Sequence, residues 1–154
     1  LGEAVRYDGG DCCHHLGAEY QPLLQHWQQQ GLLLSLCPEV SGGLPVPRPA
    51  AEIVGDKVLT QADEDVTQAF DRGAAKALSL CQQHHIKYAL LKQGSPSCGN
   101  SLINDGCFLK TKIQGQGVTA RLLTQHAIHV FNEKELPSLQ SLLIKHNVLP
   151  RTAP

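Results

Sequence analysis

At 154 residues, with 42% apolar and 18% charged residues, the chain has the size and balance of one folded domain with its own core, not of a disordered segment. Thirteen basic residues against fourteen acidic ones leave a formal charge of −1, so there is no basic surplus to hold a nucleic-acid duplex or an anionic membrane surface. No apolar run reaches membrane-spanning length, no secretory-signal pattern occurs, and the six cysteines include no Cys-x-x-Cys pair. That set points to a reducing compartment, the cytoplasm, and away from a zinc ribbon.

The chain opens at Leu1, contains no Met and enters at once a turn-like stretch, Arg6-Tyr7-Asp8-Gly9-Gly10. It reads as a chain that starts downstream of its natural N-terminus. Asp11 is placed to cap a helix from Cys12, in which Leu16, Tyr20, Leu23, Leu24 and Trp27 recur at three- and four-residue spacings before Gly31 stops it. The leucine-rich run 32–36 reads as a strand. Residues 37–51 are dense in Pro and Gly, which predicts a stiff loop with no regular element.

Residues 52–59 read as a hairpin with Gly55-Asp56 at its turn. A long helix then begins at Asp63 or Asp65, and its stripe is Val66, Phe70, Ala74, Ala77 and Cys81, with Gly73 allowing close packing. The run 87–92 is a strand. Residues 99–117 carry four glycines and no clear period, which predicts mostly loop with a strand turn near Phe108. Residues 118–126 read as a helix, 128–131 as a strand, and Pro137 opens a last helix that buries Leu139, Leu142 and Leu143, followed by coil from Asn147. Alternation of helix and strand predicts one layered α/β domain over 1–154, a Rossmann-like parallel sheet flanked by helices.

Two of the predicted strands run into a cysteine beside proline: Cys37-Pro38-Glu39-Val40 and Ser95-Pro96-Ser97-Cys98-Gly99. In open parallel sheets ligands bind just beyond the carboxyl ends of the strands. If the strands are parallel and close, Cys37 and Cys98 face one pocket. They are then inert core thiols, a nucleophile, or metal ligands, since soft thiolates select zinc, copper or iron–sulfur centres. Two ligands are too few, so a third comes from elsewhere. Glu39 either moves protons or caps the turn. Ser95 and Ser97 hydrogen-bond the local turn at least. Arg48, held among prolines, either meets a substrate carbonyl or anion or pairs with Glu52. Cys81 sits on an apolar face and packs; Cys107 and the scattered histidines lack a ligand context.

The ensemble Val5-Arg6-Tyr7-Asp8-Gly9, Cys37-Pro38-Glu39-Val40 with Gly42-Gly43-Leu44-Pro45 and Pro47-Arg48-Pro49, Asp65-Val66-Thr67, Leu91-Lys92, Ser95-Pro96-Ser97-Cys98-Gly99 and Gly117-Val118-Thr119-Ala120 resembles the 2-thiouracil desulfidase family over residues 1 to about 133. The resemblance implies a compact α/β domain holding a [4Fe–4S] cluster on three cysteines. The fourth iron is open to the sulfur of a small thiolated pyrimidine, and water breaks the C–S bond to give uracil and sulfide. Carried onto this chain, Cys37 and Cys98 match two cluster ligands, Glu39 and Ser95 the polar residues that handle protons, and Arg48 and Ser97 the substrate side. The first ligand of the family lies in a Cys-Leu-Leu-Gly motif, of which Leu1-Gly2 match the last two residues. The third ligand and a first strand are therefore expected upstream of Leu1, with the cluster absent or labile without them unless Cys12, Cys13 or Cys107 substitutes. The rival expectations are a cluster-free enzyme with Cys98 as nucleophile and a non-enzymatic module that binds a cluster or a thiolated base.

Overall fold

The protein is described by a computed structural model covering residues 3–11 and 20–149. The predicted helix cap at Asp11–Cys12, with Leu16 and the pair His14-His15, falls outside those residues beyond Asp11 itself. Among the described residues the first helix is α1, Tyr20–Gln29. Its Trp27 is buried against Leu136, Leu139 and Leu149, with Leu23, Leu24, Tyr88 and Phe131 packed around them.

The run 32–36 forms no strand among the described residues. Leu33 packs on the Trp27 cluster, while Leu32 and Leu34 are exposed. The alternation holds only over Leu32, Leu33 and Leu34, and no neighbour among the described residues forms a ladder with the run. The segment 37–51 is not wholly irregular either. Pro38–Ser41 forms a one-turn helix, α2, with Pro38 in its first turn. Proline is tolerated there because the first amides of a helix have no intrahelical partner and its fixed φ already suits the helix.

The predicted hairpin is present as β1 (Ala51–Val54) and β2 (Lys57–Thr60), antiparallel with Val54 opposite Lys57. The long helix is α3, Thr67–Gln83, entered through Asp65, whose carboxylate accepts from the Thr67 amide at 3.0 Å. Ala69, Phe70, Gly73, Ala74, Ala77 and Cys81 form its buried stripe. Phe70 meets Val58, Val66 and Val118, and Cys81 meets Leu123 and Ile128.

The parallel pair is β3 (Tyr88–Leu91) with β6 (His129–Asn132), in register from Tyr88–His129 to Leu91–Asn132. Between them lie a second hairpin, β4 (Leu102–Asn104) with β5 (Lys112–Gln114), and helix α4 (Val118–Gln125). That hairpin corrects the loop predicted for 99–117; three-residue strands are too short to display a period. Helix α5, Leu136–Lys145, closes the α1 side. The result is a mixed α/β fold in which helices flank a short parallel sheet and two hairpins lie beside it.

Two features position the site. First, α2 lies directly on α3. A Cβ added at Gly73 would overlap the Pro38 carbonyl, and one at Gly42 would overlap the Ala69 carbonyl. Second, the carboxyl ends of β3 and β6 are joined by a buried ion pair, Lys92 Nζ to Glu133 Oε1 at 2.5 Å, while Glu133 Oε2 accepts from the Gln93 amide at 2.8 Å. Burial alone would raise the Glu133 carboxyl, but the Gln93 amide and the Lys92 ammonium outweigh it and hold it below its ordinary 4.5.

Gly73→Ala should reverse the usual sign of a helical Gly-to-Ala change. The propensity gain of about 1 kcal/mol is overtaken by an overpacking cost of about 1–3 kcal/mol, so the urea midpoint falls. Glu133 contributes stability that is complete above its unfolded value of 4.5 and lost as pH falls through its lower folded value. Stability measured between pH 3 and 7 should therefore lose part of its acid-side slope in Glu133→Gln.

Candidate active site

Cys37 stands at the N-cap of α2, just after the run 32–36. Two residues on, Glu39 Oε2 accepts from Arg48 Nε at 2.7 Å, with the two side chains only 15% and 5% exposed. Arg48 also donates to the carbonyls of Pro45 at 3.2 Å and Val5 at 3.0 Å. One guanidinium thus joins the N-terminal loop, the proline-rich loop and α2. The pairing of Arg48 with Glu52 is corrected. Glu52 is buried elsewhere, accepting from Asn104 Nδ2 at 2.8 Å and the Phe108 amide at 3.0 Å. Three of the five guanidinium N–H groups of Arg48 are thus held by the protein itself.

The second cysteine turn builds itself from its own serine. Ser95 Oγ accepts from the amides of Ser97 and Cys98, each at 3.1 Å, and the Gly99 amide donates to the Ser95 carbonyl at 2.9 Å. The turn then caps α4: the Val118 amide donates to the Pro96 carbonyl and the Thr119 amide to the Ser97 carbonyl, both at 2.9 Å. Orphan amides of the first helical turn are satisfied this way. Contact is so close that a Cβ at Gly117 would overlap the Ser97 carbonyl group. Ser97 was expected against the substrate. It is instead 1% exposed, with its hydroxyl 2.9 Å from the Thr119 hydroxyl, so it supports the turn from within.

Cys37, Glu39 and Cys98 come together. The Cys98 thiol is pushed up to about 12, first by burial, then by the Glu39 carboxylate and by Cys37; the Ser97 and Ser95 hydroxyls pull weakly the other way. The residue itself is half-buried. Of the other thiols, Cys81 is buried in the α3 stripe, and Cys107 is exposed on the β4–β5 loop with its amide on Asp105. Cys12 and Cys13 lie outside the described residues.

Among the described residues no three His, Cys, Asp or Glu side chains gather into a metal site. The Cys98 sulfur, desolvated and under the influence of the half-buried Cys37, does fit part of the ligand shell of an iron–sulfur cluster, which takes thiolates and tolerates burial. A cleft of about 410 Å³ along the free side of β6, lined by Asn100, Gln116, Thr124, His129 and Phe131 among others, offers neither thiol nor carboxylate.

The family model described as 2-thiouracil desulfurase matches residues 1–135. The chain belongs to the 2-thiouracil desulfurase family. Its members are C–S bond-cleaving enzymes. A solved structure titled [4Fe-4S]-dependent thiouracil desulfidase TudS is 46% identical to this desulfurase-family chain, with a TM-score of 0.86 over 93% of this chain and 91% of that one. YbbK of Bacillus subtilis (strain 168), described as uncharacterized, is 42% identical over 110 residues, 65% of this chain and 73% of that protein.

Sequence reasoning missed Thr119 and the Arg48–Glu39 pair. The first carried a usable signal, a polar residue inside an otherwise apolar helix start; the second carried none that separates Glu39 from Glu52.

In the metal-free protein at pH 8, Cys98 should react with iodoacetamide about a thousandfold more slowly than a thiol at the ordinary 9.0, because the thiolate fraction falls tenfold for each unit of pKa. Peptide mass spectrometry with exposed Cys107 as the fast reference measures this; equal rates at the two cysteines would contradict it.

Proposed function

We propose that this chain cleaves the C–S bond of a small thiolated pyrimidine, converting 2-thiouracil and water to uracil and hydrogen sulfide. Cys37 and Cys98 are two ligands of a [4Fe–4S] cluster. The observation that carries this reading is the charge around the paired thiols. A cysteine nucleophile needs a cation or a helix N-terminus to sustain its thiolate. Cys98 has a carboxylate and a second thiol acting on it, which together with burial outweigh whatever favours its thiolate, and the nearby guanidinium is already committed to Glu39. A bound metal centre supplies the missing positive charge and accepts soft sulfur. The likeness to TudS supports the same cofactor.

When bound, the cluster supplies a Lewis-acidic iron for the substrate's sulfur. The chain's own residues do the rest. Arg48 holds Glu39 Oε2, so Oε1 is assigned to take the proton of the attacking water. Ser95 Oγ accepts two amides and keeps its own hydrogen to donate toward the leaving sulfur. Arg48 and Ser97 serve the substrate through these neighbours rather than by touching it. The whole chain acts as one domain in a reducing compartment, the cytoplasm. No helix among the described residues is long and apolar enough to cross a membrane, and the net charge of −1 argues against a nucleic-acid duplex as partner.

An anaerobic count after reconstitution should give about four iron and four labile sulfide per chain, lost in Cys37→Ala and Cys98→Ala and kept in Cys81→Ala. Glu39→Gln and Ser95→Ala should keep the iron and lose sulfide release from 2-thiouracil by about 10²–10⁴. Sulfide release by an iron-free preparation would shift the reading to a Cys98 nucleophile.

A further inference from the structure

The eight-residue loop 94–101 carries Ser95, Ser97 and Cys98, and its neck is closed by one side chain. Gln93 Nε2 donates to Ser101 Oγ at 2.7 Å, and Gln93 Oε1 accepts from the amides of Leu102 at 3.2 Å and Ser101 at 3.4 Å. The backbone adds the Gly94 amide on the Leu102 carbonyl at 3.1 Å. Gln93 is itself anchored, since its amide donates to Glu133 Oε2 at 2.8 Å and its carbonyl accepts from Lys92 Nζ at 2.9 Å. The far side of the loop is pinned separately: Asn100 Nδ2 donates to Glu135 at 2.7 Å and to the Val130 carbonyl at 3.2 Å, and Asn100 Oδ1 accepts from Asn132 at 2.9 Å.

We propose that Gln93 is a positioning residue for the candidate active site: its carboxamide ties the two ends of the loop and so sets where the Cys98 sulfur sits. The chemistry of the residue fits the task. A carboxamide donates and accepts at once, which a carboxylate cannot do, and it does so without a charge that would compete for Lys92 or Glu133. Gln93 touches none of Cys37, Glu39 or Cys98, so it acts only through the loop. The inference rests on Cys98 being a site residue, as proposed above, but its test needs no cofactor.

The test is peptide-level alkylation by iodoacetamide of the metal-free chain, with buried Cys81 as the internal control. In Gln93→Ala the Cys98 rate should rise roughly three- to tenfold, as the loss of one or two net hydrogen bonds implies, while the Cys81 rate stays unchanged. Ser101→Ala, an exposed and mild change, should give a smaller rise in the same direction. The double variant should be no faster than Gln93→Ala, because Ser101 Oγ acts through Gln93. With iron loaded, Gln93→Ala should shift the g values of the reduced cluster at unchanged iron content, which loss of stability alone does not do. An unchanged Cys98 rate, a Cys81 rate that rises in proportion, or identical g values overturns the proposal. If Gln93→Ala does not fold, the Ser101→Ala rate decides. A chain that takes up no iron refutes the cluster reading and leaves this one to the alkylation ratio.

Discussion

The site depends on backbone lying directly against backbone. Helix α3 meets the Cys37 turn through Gly73 against Pro38 and through Gly42 against Ala69, and α4 meets the Cys98 turn through Gly117 against Ser97. At such contacts no side chain can yield by changing rotamer, so peptide groups fix the separation of the elements. The same α3 carries Phe70, Ala74 and Ala77 into the core. A disturbance of that core is therefore transmitted to the cysteine turn without a soft layer between. Building a site on rigid elements in this way holds its side chains more tightly than flexible loops do.

The Arg48–Glu39 pair has a different role. A buried ion pair is weak evidence for stability, because desolvation offsets most of the attraction. Its value here is connectivity: with Nε on Glu39, and its terminal nitrogens on Pro45 and Val5, Arg48 sets the register of three segments that share no ladder. Val5 is the carbonyl that also faces the Cys37 thiol, at 4.0 Å. The first cysteine is thus framed by a charge network, and the second by a turn whose amides are satisfied by its own serine. The two cysteines are reached by unrelated means, yet Cys37 lies near enough to act on the Cys98 thiol.

What was legible in the residues follows from which interactions are local. Helices α3 and α4, the 51–60 hairpin and the β3–β6 strands carry period or turn chemistry over enough residues to be read. The run 32–36 was misread because a strand is defined by its partner, and leucine alternation in Leu32, Leu33 and Leu34 looks the same with or without one. The Pro38–Ser41 helix was missed because proline was weighed as a breaker and not as a first-turn residue. Cys37, Glu39 and Cys98 were readable as a candidate group because each lies beside a proline just past an apolar run. Ser97 and Arg48 were not, since only tertiary contact tells a hydroxyl facing Thr119 from one facing a ligand, or Glu39 from Glu52 as the partner of an arginine. Gln93 offered no signal at all; its meaning exists only once Ser101 and Leu102 are brought back to the neck of their loop.

The protonated state of Cys98 has a consequence for assembly on the proposed reading. A thiol near 12 stays neutral in the metal-free chain, so it is slow to be oxidised or alkylated and spends little of the folding free energy on a buried charge. Binding of a cationic centre must then displace that proton, which makes metal affinity fall as pH falls. The Glu39 carboxylate that disfavours a free thiolate is well placed to receive the proton, because Arg48 orients it and the Cys98 sulfur lies within its field. The same groups therefore serve two states on that reading: a quiet, neutral Cys98 before loading, and a pair of ligands with an oriented carboxylate beside them afterwards.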